Sequence, residues 1–177
     1  KAVNIFEKLC DTEEDRVLNT RFVEDFIKYS SVTHFNRVYP ILKRMVVSSS
    51  PEVRQAGARL NALAQFQNSS ASALVDECMR SEDLRLRKGC AQVAAANVMN
   101  ESCQNFCRAA LPRLFQDAEK EVRDEAASFL MNLEGDALGD YVDILKSLCE
   151  SRAFSDNIDI LLLALEKSTA RLPDITF

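Results

Sequence analysis

The chain has 177 residues, 47% of them hydrophobic, with a net charge of -5 and a pI near 5.0. That length supports a sizeable core, and the acidic balance argues against a generic polyanion binder, whose phosphate contacts need clustered Lys and Arg. No apolar run approaches the ~20 residues that span a bilayer, and no signal-peptide pattern opens the chain, so no membrane is expected and a cytoplasmic location is.

Four glycines, four prolines and no tryptophan suit helices joined by short turns. Val3, Phe6, Leu9 and Cys10 fall at helical spacing, and the acidic turn DTEED leads into a helix from Arg16 to Ser30. Asn36 to Val47 turns Val38, Ile41, Leu42 and Met45 inward. Ser50 is placed to cap the next helix, with Pro51 as its first residue. Ala71 to Arg80 and the alanine-rich Leu86 to Met99 follow, then the polar segment Asn100 to Gln104. In Leu111 to Leu133 the spacing predicts a short helix carrying Leu111, Leu114 and Phe115, with Pro112 in its first turn. After the break Gln116 to Lys120, a second helix puts Val122, Ala126, Phe129, Leu130 and Leu133 on one stripe. Glu134 to Gly139 is a turn, Tyr141 to Cys149 a helix, and Asn157 to Lys167 the last helix. The pattern carries no internal boundary and reads as one domain. It opens mid-pattern on Lys1 without a polar cap, which points to a segment of a longer chain.

Val17, Val53, Leu86, Val122 and Ile158 are separated by 36, 33, 36 and 36 residues, a period typical of helical-hairpin arrays. One residue on stand Arg54, Arg87 and Arg123; four on, Gly57, Cys90 and Ala126; five on, Ala58, Ala91 and Ala127. Seven on are Leu60, Val93, Phe129 and Leu165. Large residues fill a groove between helices, and small ones let backbones approach.

These units resemble HEAT repeats, whose pattern is a Leu-Pro-x-Leu helix, an acidic turn, then Val-Arg-x-x-Ala-x-x-x-Leu. The resemblance is closest at 111–133, clear at 40–66, fainter at 71–98, and weakest in the first and last units, where Leu18 and Asp159 replace the arginine and Phe22 and Leu163 the alanine. It implies an all-α fold: a right-handed α-solenoid, or α-α superhelix, of about five helical hairpins.

No catalytic constellation appears: GxxxxGK[ST], HExxH and GxSxG are all absent. Asp11, Glu13, Glu14, Asp15, Glu82 and Asp83 sit in turns and read as helix-start stabilisers. His34 reads as a surface or capping group. Cys10, Cys78, Cys90 and Cys149 read as small buried hydrophobes. Cys103 and Cys107 lie one turn apart, yet the single histidine lies in another unit, so reduced, inert cysteines and no metal or other cofactor are expected.

In HEAT-like units the arginine at the position of Arg54, Arg87 and Arg123 reaches an acidic or carbonyl group of the neighbouring unit, and the resemblance implies such a structural ladder here, with Asp83, Asp117 and Glu121 as available partners. The competing reading is a basic track for nucleic acid, extended by Arg59, Arg85 and Lys88, as in the HEAT-like DNA alkylation-repair glycosylases. The acidic balance and the lack of interleaved aromatics weigh against it.

Positions two, six and nine after each anchor form a stripe away from the packing face: Asn19, Val23, Phe26; Gln55, Arg59, Ala62; Lys88, Gln92, Ala95; Asp124, Ser128, Met131. Second helices line the concave side of a HEAT superhelix, so this stripe is either a surface for a protein partner or a solvated face.

RFVEDFIKY, EVRQAGARLNALA, LPRLFQDAEKEVRDEAASFLMNLEG and ALEKSTARLPD together look like the C-terminal helical region of bacterial STAND-type NTPases, signalling ATPases that include anti-phage defence proteins. That resemblance implies a non-catalytic sensor or scaffold arm. Finally, Ile158, Ile160, Leu161, Leu162, Leu163 and Leu165 surround the last helix with apolar side chains, which predicts self-association through Ile160 and Leu163.

Overall fold

In a computed structural model, residues 32–65, 71–133, 141–159 and 162 are described, with the side chains of 32–35 and 37 excepted. Among them the chain is all helical, with no strand. The residues group into two compact units, 1–93 and 94–177.

In the first unit, α1 (Val32–Val46) buries Val38, Ile41, Leu42 and Met45, an i, i+3, i+4, i+7 stripe. Lys43 and Arg44 in its last turn favour the negative end of the helix dipole, and the Lys43 ammonium lies 5.7 Å from the Tyr39 ring. A short turn leads to α2 (Pro51–Ala64). The Ser50 hydroxyl accepts the Val53 N–H at 3.3 Å, and Pro51 opens the helix where no backbone donor is needed.

α1 and α2 pack together, and α2 also packs on α3 (Ser72–Arg80). Gly57 makes the first crossing close, since a Cβ there would sit 2.7 Å from Met45 Cβ. Asn61 is fully buried in this crossing, its amide donating to the Gly57 carbonyl at 2.7 Å. Asp83 caps α4 (Leu84–Ala96) by accepting the Arg85 N–H at 2.9 Å. A second close approach joins α4 to α2: a Cβ on Gly89 would meet the Gln55 carbonyl oxygen at 2.5 Å and Ala58 Cβ at 2.9 Å. Only a residue without a side chain allows that contact.

In the second unit, α5 (Gln104–Leu114) packs on α6 (Lys120–Ala127) and on α7 (Val142–Cys149), and α8 (Arg152–Asp156) packs on both α6 and α7. Phe115 and Phe129, both fully buried, stack with ring centroids 5.6 Å apart. Tyr141 is buried too: its hydroxyl donates to the Val98 carbonyl at 2.5 Å and accepts from Gln104 at 3.3 Å, and the Arg108 guanidinium lies over its ring.

Several expected boundaries move. Pro112 lies near the end of α5, not in its first turn, because the helix starts further back: Asn100 caps a 3-10 turn, Glu101–Cys103, that feeds directly into Gln104. Cys103 and Cys107 supply the buried stripe of that earlier start, so cysteine does the work of a hydrophobe there. α6 tightens at Ser128 into a 3-10 segment ending at Asn132, where the Ser128 hydroxyl bonds the Glu125 carbonyl at 2.6 Å. A short helix, Arg152–Asp156, stands ahead of the expected start of the last one, and Asn157 separates it from residues 158 and 159, which are helical again. Ala153 and Asn157 are the residues turned inward, while Ile158, aligned with Val122 by period, is 48% exposed. Cys149, expected to be buried, is exposed, since Ile144 and Leu148 carry the inner face of α7.

Candidate functional site

The three repeat arginines make the same local contact. Arg54 Nη1 donates to the Ser48 and Ser49 carbonyls at 2.8 and 3.0 Å, Arg87 Nη1 to the Ser81 carbonyl at 2.6 Å, and Arg123 Nη1 to the Asp117 and Ala118 carbonyls at 2.7 and 2.8 Å. Each arginine therefore folds back onto the turn that precedes its helix and satisfies carbonyls of that turn. Two reach forward as well. Arg54 Nε bonds Asp83, 29 residues on, and Arg123 Nε bonds Asp156 at 2.6 Å, 33 residues on.

Asp83 carries two duties on one carboxylate, capping α4 through one oxygen and holding Arg54 through the other. Partial burial alone would raise its pKa. The Arg85 backbone N–H and then the Arg54 guanidinium outweigh that and hold it below the usual carboxylate range. Asp117 meets Arg123 with its backbone carbonyl, whereas Asp156 is not in view from the sequence: it is the last residue of the short helix Arg152–Asp156, which carries no periodic signal.

The stripe divides. Gln55, Arg59, Lys88 and Gln92 of the first unit are half-buried, and Gln55 Nε2 donates to Gln92 Oε1 at 3.1 Å while Arg85 donates to Gln55 Oε1 at 3.4 Å. Those neighbours are thus joined into one polar row. In the second unit, Asp124 and Ser128 are half-buried and Met131 is 44% exposed. Asp124 accepts from Lys120 at 2.7 Å and from the buried Asn157 amide at 3.1 Å. Ala62 and Ala95, by contrast, are buried in packing. Asn19, Val23 and Phe26 lie outside the described residues, as do Ile160, Leu163 and Cys10; His34 lies in α1 with its side chain among those excepted.

Burial, with Cys103 beside it, pushes the Cys107 thiol up to about 12, and a hydrogen bond to Cys78 together with complete burial pushes Cys90 well above the ordinary thiol range. Thiols shifted in that direction are held in the protonated, weakly nucleophilic form. Among the described residues no three of His, Cys, Asp and Glu gather to hold a metal, and no helix is long and apolar enough to cross a membrane. Gly89 and Tyr141 are contacts that sequence reasoning passed over. The glycine stands next to Cys90, which took the small-residue slot in the repeat, and a lone tyrosine offers no periodic signal. Neither the family models, nor the curated proteins, nor the solved structures contain a match to this chain.

Proposed function

We propose that the chain is a non-catalytic protein-interaction module, a scaffold or sensor arm built of HEAT-like hairpins stacked as a right-handed solenoid. The observation that carries this reading is the repeated arginine: at one phase of a 33- to 36-residue period it closes the turn behind it, and in two cases it bonds an aspartate roughly one period ahead. Guanidinium groups committed in this way serve stacking and are withdrawn from phosphate. The packing of α5 on α7 and α6 on α8 supports the same reading, since hairpins in a solenoid stack like on like. Nucleotide chemistry of the STAND type, if the parent protein has it, belongs to other parts of that protein.

Retention on heparin and on labelled duplex DNA at low and moderate salt tests the proposal. Weak retention, unaltered by Arg54→Ala, Arg87→Ala and Arg123→Ala together, is the expected outcome. Tight binding that falls steeply with salt and vanishes in the triple variant would instead favour a nucleic-acid domain like the alkylation-repair glycosylases.

A further inference from the structure

Two buried thiols of the first unit meet between helices. Cys78 on α3 is 2% exposed, Cys90 on α4 is fully buried, and neither is in a disulfide. Their side chains are hydrogen bonded to each other, with Cys90 donating and Cys78 accepting. Sulfurs already in contact across two helices need only close to the bonded length of about 2.05 Å to be joined.

The contact also separates the two thiols in character. The Cys90 S–H stabilises a thiolate at Cys78 and holds that thiol below its ordinary range, against burial and the nearby Glu77. The same bond, together with burial, pushes Cys90 the other way. Cys107 has no such help: burial and then Cys103 both raise it. α3 is nine residues long and has no side-chain cap at its N-terminus, so it depends on packing to stay helical. Local opening of so short an element admits a small oxidant to sulfurs that the closed fold covers.

From this contact we infer that Cys78 and Cys90 are a redox pair, which a peroxide converts to a disulfide tying α3 to α4. Cys78 is the attacking sulfur and Cys90 the resolving one. The Cys78 thiolate attacks one oxygen of hydrogen peroxide, the O–O bond breaks, and hydroxide leaves and takes up the proton that Cys78 had released. The Cys90 sulfur then bonds to that of the resulting sulfenic acid; the S–O bond breaks, and the Cys90 proton leaves with the hydroxyl as water. Two thiols and one peroxide become one disulfide and two waters, sulfur losing the two electrons that oxygen gains. A dithiol reductant restores the pair. The closed loop contains Ser81 and Asp83, which hold Arg87 and Arg54, so oxidation fastens the turn on which two of the repeat arginines depend. The inference goes beyond the interaction-module reading and does not depend on it.

The test treats the whole folded chain, first fully reduced, with a slight excess of hydrogen peroxide, then alkylates and digests it for mass spectrometry. A peptide linking Cys78 to Cys90 should appear and should vanish with dithiothreitol. Cys78→Ala should abolish the link and leave Cys90 alkylated, whereas Cys90→Ala should let Cys78 accumulate as a sulfenic acid that dimedone traps. Cys149→Ala, at the exposed cysteine, should leave the link in place. The urea midpoint of the oxidised protein should lie above that of the reduced protein and fall back with dithiothreitol; this and the wild-type link read the pair even where a variant fails to fold.

No Cys78–Cys90 link, a link formed only in urea-unfolded protein, or a Cys103–Cys107 link formed ahead of it would overturn the proposal. So would an oxidised midpoint at or below the reduced one. Each of these results would leave the interaction module standing.

Discussion

Truncating Arg123 would leave two turn carbonyls and one aspartate without their donor. Its side chain is 11% exposed and that of Asp156 24%, against 24% and 26% for Arg54 and Asp83, so the second pair is better shielded from water. Removing one partner of a shielded pair costs more than removing one of an exposed pair. Arg123→Ala should lower stability by about 2 to 4 kcal/mol and Arg54→Ala by about 1 to 2 kcal/mol, read from urea midpoints. Arg123→Lys should recover little, because a single ammonium cannot replace a fork that serves carbonyl and carboxylate at once. Equal losses at the two sites would mean that shielding does not govern these contacts.

Tyr141→Phe isolates one hydroxyl. The ring would keep its packing and the contact with Arg108, but the Val98 carbonyl would lose a buried donor, at a cost of about 1 to 3 kcal/mol. A midpoint equal to wild type would show that water reaches that carbonyl.

Asp83 gives a pH dependence of definite sign. Its folded pKa lies below the unfolded value of about 3.9, so its ionised form stabilises the fold above that pH, and the contribution is lost as pH falls through the folded value. Asp83→Asn should be less stable than wild type at neutral pH, and the gap should close below about pH 4. A gap that persists undiminished in acid would assign the loss to the helix cap alone.

Among the helices, the sequence reading succeeded where one apolar stripe and one cap agreed. Ser50, Pro51 and the stripe Val38, Ile41, Leu42, Met45 all stand where expected. It falls short at α5, where Pro112 reads as a start signal although Cys103 and Cys107 continue the stripe backwards, and at α8, a five-residue helix too short to show a periodic signal. Gly89 shows why close approaches are hard to foresee: their signal is a missing atom. On an exposed helix Gly→Ala would gain about 1 kcal/mol of propensity. Gly89→Ala should instead destabilise by roughly 1 to 3 kcal/mol, since its Cβ would overlap a backbone oxygen that cannot swing aside. A stabilised variant would show that α2 and α4 can separate without loss.

For the molecule as a whole, periodicity revealed an all-helical chain and the phase of the arginines, because both follow from local rules repeated along the sequence. What it did not reveal was the far end of each contact. Asp83 was visible as a turn carboxylate, whereas Asp156 closes a five-residue helix too short to carry a periodic signal. The candidate surface was legible only in part for the same reason: Gln55, Arg59, Lys88 and Gln92 remain at the surface, while Ala62 and Ala95 belong to the core. If the repeat arginines are joints between hairpins and not contacts for a ligand, the joint must carry energy that neither partner has alone. A double-mutant cycle of Arg123→Ala and Asp156→Ala, read by urea unfolding, should return a coupling of about 1 to 3 kcal/mol. A coupling within about 0.3 kcal/mol of zero would contradict it, for then the two side chains would lie together without holding anything.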